Sequence, residues 1–168
     1  MTDKPTDPIR PTDAEARTLA RRLIAGARFA ALGVIEPGSG APMVTRVAIG
    51  TARDGVPLTL ISTLAQHTGA LTADPAASLL LGEPGPRGDP LSHPRLTLQC
   101  VAKFVGPADP TLSELRADWL RDHPKARLYV DFPDFGFVRF AILRGFLNGG
   151  FGKAYMLAPA DLVGAEVG

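Results

Sequence analysis

Two places in this sequence combine residue types that could do chemistry. Arg46 stands in an otherwise apolar stretch, among Val44, Val47, Ala48 and Ile49, where an unpaired guanidinium would be costly. It calls for an anion, for a carboxylate of the protein, or for a strand face turned to solvent; the strand alone does not choose between these. Ser62, Thr63, His67 and Thr68 lie where a second apolar stretch ends and a helical turn begins. Such a junction offers backbone N–H groups without intrahelical partners, and hydroxyls beside them suit a phosphate monoester. His67 reads either as an imidazole donor to that anion or as an ordinary histidine at a helix start.

Other candidates have plainer readings. Cys100 is the sole cysteine, which excludes an intrachain disulfide or a multi-cysteine cluster and reads as a small buried hydrophobe. His93, between Ser92 and Pro94, reads as a turn or capping residue rather than a ligand-binding one. Arg139 either completes an anion site or pairs with Asp131 or Asp134. The run Asn148-Gly149-Gly150-Phe151-Gly152 is a tight turn with Phe151 buried, or a place where backbone approaches a planar ligand that Asn148 and Lys153 hydrogen-bond, across a subunit interface. No catalytic residue is assigned, and no metal site is expected.

The elements that must position these groups follow from pattern. The chain has 168 residues, 45% hydrophobic and 21% charged, enough for one domain with a sizeable core. Its net charge of +1 supplies no long-range field for nucleic acid or an anionic membrane. Residues 1–12 are polar and proline-punctuated and read as a flexible leader without signal-peptide character, before a single domain over 13–168 and a cytoplasmic location. Thr12-Asp13-Ala14-Glu15 starts a helix that Ala16, Leu19, Ala20, Leu23 and Ile24 carry to Gly26. Strands are expected near 28–36, 43–51 and 56–63, then a helical turn over 66–74, a strand at 77–82, a long loop over 83–94, and a strand over 95–105. A helix at about 110–122 follows, with further strands at 138–147 and 153–157. The expected fold is mainly β with peripheral helices, a six- or seven-stranded antiparallel barrel, closed by its ladder.

The order strand, arginine, hairpin, strand ending Ile61-Ser62-Thr63, Gln66-His67-Thr68, Asp74-Pro75 and Ser78-Leu79-Leu80 resembles the flavin-binding half of the pyridoxamine 5'-phosphate oxidase-like split-barrel superfamily. The resemblance implies a homodimer with FMN at its interface. It implies Arg46, Ser62, His67 and Thr68 as phosphate contacts, Val47, Ala48 and Ile61 beside the flavin ring, and Thr63 and Gln66 within the same cofactor segment. Gly69 stands where many relatives carry Asn. The strings Gly88-Asp89-Pro90-Leu91-Ser92-His93-Pro94-Arg95 and Gly145-Phe146-Leu147-Asn148-Gly149-Gly150-Phe151-Gly152 are similar to the haem-utilisation (HugZ-like) branch. Known haem-degrading relatives ligate iron through a histidine on a C-terminal segment, and no histidine follows His123 here. The expectation is therefore an FMN-dependent oxidoreductase acting on an unidentified small molecule. A haem-binding or haem-degrading protein, and a non-catalytic flavin-binding module, are the alternatives.

Overall fold

The computed structural model describes residues 7–164. Its elements are β1 (Ile9–Arg10), α1 (Ala14–Gly26), β2 (Phe29–Ile35), β3 (Pro42–Ala48), β4 (Gly50–Thr51), β5 (Pro57–Ser62), α2 (Gln66–Ala73), β6 (Ala76–Leu81), β7 (Arg95–Phe104), α3 (Leu112–Asp122), β8 (Phe135–Asn148), β9 (Ala154–Leu157) and α4 (Pro159–Leu162). The opening helix forms as its pattern predicts. Asp13 caps it by accepting the Ala16 N–H at 2.8 Å, and Ala16, Ala20 and Ile24, spaced by one turn each, are buried.

The sheet runs β1-β9-β8-β7-β6-β2-β3, with β5 on the first half of β8 and β4 on β5. Every pairing is antiparallel except that of β1 with β9. The ladder is open rather than closed, because β3 and β5 share no backbone pairing. Across that split the Thr59 hydroxyl donates to the Ala48 carbonyl at 2.7 Å. The fold is thus the expected mainly-β split barrel with peripheral helices, but with nine strands among the described residues and no closure. Two of the additional strands have two residues each. One, β4, is the far end of the expected 43–51 strand, which breaks where the Ile49 N–H turns to the Arg28 carbonyl. The other, β1, lies within the expected leader: Ile9 and Arg10 pair with Ala154 and Tyr155. Residues 1–6 of that leader lie outside the described residues.

Pro133 lies in the turn that precedes β8, and β8 begins earlier than the expected Val138. Phe135, Gly136 and Phe137 pair with Ser62, Ile61 and Leu60, so partnership with β5 extends the strand to the Ser62 junction.

Two apolar clusters hold the fold. The larger joins the inner face of the sheet, Leu32, Val47, Leu79, Leu96, Leu98 and Phe140 among others, to α1 and to Ala70 and Leu71 of α2. The smaller surrounds Trp119 with Leu58, Leu60, Leu115 and Phe137. The Trp119 ring stacks on His123 at 4.2 Å and meets Phe137 edge-on at 5.9 Å.

The opposite sheet face has a different character. Register places Arg46, Ala31, Leu80, Thr97, Phe146 and Met156 in one cross-strand row, all half-buried or exposed. A β-bulge at Gln99/Cys100 leaves Leu143 unpaired and 59% exposed on β8.

Candidate functional site

The end of β5 and the start of α2 form a tightly bonded junction. The Ser62 hydroxyl donates to Asp134 Oδ2 at 2.6 Å and accepts the Leu64 N–H at 3.1 Å. The Ser62 carbonyl accepts the Thr68 hydroxyl at 2.6 Å and the Ala65 N–H at 3.1 Å, and the Thr63 N–H donates to the Asp134 carbonyl at 2.7 Å. Ser62 and Thr68 are therefore spent on fixing the junction. What the junction still offers is the first-turn amides of Gln66 and His67, since Ala65 gives α2 no side-chain cap. The exposed Thr63 and Gln66 side chains flank them.

His67 is half-buried, and burial pushes its pKa below the ordinary histidine value, which favours the neutral ring. Its Nδ1 lies 3.2 Å from Thr45 Oγ1 of β3. Arg46, next along β3, points to the other face, with its guanidinium carbon 5.6 Å from the Phe29 ring centroid. Arg46 is exposed and makes no ion pair among the described residues. Of the readings open from sequence, a protein carboxylate is excluded and the solvent-facing strand is what the structure shows, leaving the guanidinium free for an anion.

The remaining candidates divide clearly. Val47 and Ile61 are 5% and 6% exposed and pack in the main core; Ala48 is half-buried. Asn148 and Lys153 are not brought to the junction within one chain. Ser62 pairs with Phe135 at the start of β8 and Asn148 ends that strand, on the order of 40 Å of strand away. The Asn148 side chain accepts the Gly150 N–H at 3.1 Å, and Gly150 and Gly152 take φ of 118° and 67°, so this turn needs its glycines. Phe151 is fully exposed, which removes the one of the two readings of this turn in which it is buried.

Arg139 pairs with Asp54, not with Asp131, which holds Arg116, or Asp134, which holds Ser62. Leu58 opposite Arg139 brings the Arg53-Asp54-Gly55 turn within reach. His93 staples its own loop: Nδ1 accepts the Gly85 N–H at 3.2 Å and Nε2 lies 2.8 Å from the Arg87 carbonyl. Cys100 is buried, and desolvation pushes its thiol up to about 12, which makes it inert near neutral pH.

Sequence reasoning missed Thr45 and Asp134. Strand alternation could have found Thr45, on the face opposite Arg46. Asp134 had no local signal, because only the pairing of β5 with β8 brings it to Ser62.

Comparison with known proteins gives this geometry a context. A family model described as pyridoxamine 5'-phosphate oxidase matches residues 17–148. A curated relative, the chloroplastic non-canonical heme oxygenase HOZ of Arabidopsis thaliana, is 37% identical over 102 residues, covering 60% of this chain and 29% of its own length. The chain thus spans under a third of that relative. A heme-binding protein from Mycobacterium smegmatis superposes with a TM-score of 0.78 at 28% identity, over 91% of this chain and 60% of that one. A second solved chain, 44% identical, is covered in full together with 93% of this chain, at a TM-score of 0.85. No helix among the described residues is long and apolar enough to cross a membrane.

Proposed function

Because the chain belongs to the pyridoxamine 5'-phosphate oxidase family, we propose that it binds FMN as a homodimer and works as a flavin-dependent oxidoreductase on a small-molecule substrate. The observation that carries this reading is Arg46: an exposed, unpaired guanidinium on β3, one residue from the threonine that touches His67. The unpaired first-turn amides of Gln66 and His67 lie at the α2 start that the neighbouring Thr45 contacts, on the face opposite the Arg46 side chain, which must reach round the β3 edge to share a ligand with them. This donor set suits a phosphate monoester, with Arg46 supplying charge and the junction supplying directed N–H groups. When bound, the flavin supplies the electron-accepting ring; the chain's own residues bind and orient it.

The second copy follows from where the halves of the site stand. Arg46 and Asn148 share the outer sheet face, on strands four spacings apart, roughly 20 Å. That separation within one chain supports a site completed by a second copy. A twofold axis that lays this face on its own copy brings each Arg46 end toward the partner's Asn148 end, twice over. Leu143, 59% exposed at the bulge beside a cleft of about 400 Å³ lined by Gly33, Val44 and Ser78, sits in the middle of that face. Leu143→Glu should convert the dimer to monomer in sedimentation equilibrium and lower FMN affinity with it. A variant that stays dimeric would place the interface elsewhere.

A haem-binding reading stands second, favoured by the heme-related names of the relatives. Among the described histidines, His93 has both ring nitrogens engaged, and His123 donates its Nε2–H to the Ile49 carbonyl while stacked against buried Trp119; His67 keeps its Nε2 free of protein partners. Parallel titrations separate the readings. FMN should bind saturably with one equivalent per chain, seen as quenching of flavin fluorescence, and haem should give no sharp Soret band. A Soret band together with unquenched flavin would reverse the order.

A further inference from the structure

The contact between Thr45 and His67 determines which proton the imidazole carries. Thr45 Oγ1 lies 3.2 Å from His67 Nδ1, and that hydroxyl has no other hydrogen-bond partner among the described residues. Thr45 is half-buried, so its O–H seeks an acceptor, and Nδ1 is the one within reach. A hydroxyl that donates to Nδ1 requires that nitrogen to be bare, which places the proton of the neutral ring on Nε2.

We infer that Thr45 is a positioning residue that holds His67 as its Nε2–H tautomer, so that the ring gives a ligand phosphate a neutral N–H donor beside the amides of Gln66 and His67. The inference rests on the reading of His67 as part of the phosphate subsite. The opposite tautomer would leave the Thr45 proton without a protein acceptor among the described residues and would turn a bare Nε2 lone pair toward an anion, which is repulsive. Burial, which lowers the His67 pKa, acts in the same direction by disfavouring the doubly protonated ring. His67 then contributes direction and no charge to the anion.

The test uses the full chain and two substitutions. Long-range 15N–1H NMR of the wild-type protein should show His67 with a protonated Nε2 and an unprotonated Nδ1. Thr45→Val keeps the shape and the strand preference but removes the hydroxyl. It should give a mixed tautomer and lower FMN affinity about five- to tenfold, and Thr45→Ser should restore both. An Nδ1–H tautomer in the wild type overturns the inference whatever FMN does, as does a Thr45→Val protein with unchanged tautomer and affinity. A wild type that shows the Nε2–H tautomer but ignores FMN overturns the phosphate reading on which the positioning role depends.

Discussion

Replacing Arg46 with alanine should weaken FMN binding by roughly 10- to 100-fold while the protein keeps its fold. The size follows from a charge-assisted hydrogen bond to phosphate, worth about 1.5–3 kcal/mol when one partner is ionised. The intact fold follows from what Arg46 does in the free chain. It is exposed, carries no protein carboxylate, and only rests over Phe29, a contact worth about 0.5–1 kcal/mol at such a site. Flavin fluorescence titration gives the affinity, and a thermal melt in the absence of flavin gives the stability. Riboflavin, which lacks the phosphate, should bind wild type and variant alike. Equal loss for riboflavin and FMN would move Arg46 from the phosphate to the ring or the interface.

The sequence shows this site unevenly, for physical reasons. Arg46 was visible because a charge inside an apolar run has few resting places, and the junction after Ile61 was visible because a strand that meets a helix leaves amides unpaired. Which hydroxyls would serve as ligands was not visible. Ser62 and Thr68 look like phosphate donors in sequence, yet their hydroxyls close the junction on Asp134 and on the Ser62 carbonyl. That use depends on β8 passing beside β5, a pairing between residues more than seventy positions apart. The same long-range pairing set the true start of β8. Local pattern located α1 and the Pro42–Ala48 strand well, since helical spacing and the flanking turns suffice for those. The open split was not legible, because alternation tells which face of a strand is buried and not whether its edge finds a partner.

The split also gives the Asn148–Lys153 turn its meaning. Within one chain the turn is ordinary: its glycines take positive φ and the Asn148 side chain caps the Gly150 amide. Lys153 is exposed and free of ion pairs among the described residues. If the two halves of each site come from different copies, these residues act in trans, and a mixing experiment reads that directly. Arg46→Ala and Lys153→Ala chains should each bind FMN poorly as homodimers. Unfolded together at equal concentration and refolded, about half of the dimers should be mixed, by random pairing of two equivalent chains. Each mixed dimer carries one site with both Arg46 and Lys153 and one with neither. High-affinity FMN capacity should therefore return to about one quarter of the wild-type value, counted over all sites. Separately refolded variants combined without exchange should regain nothing. A site built within a single chain predicts no recovery in either case, so the returned quarter distinguishes a shared site from a self-contained one.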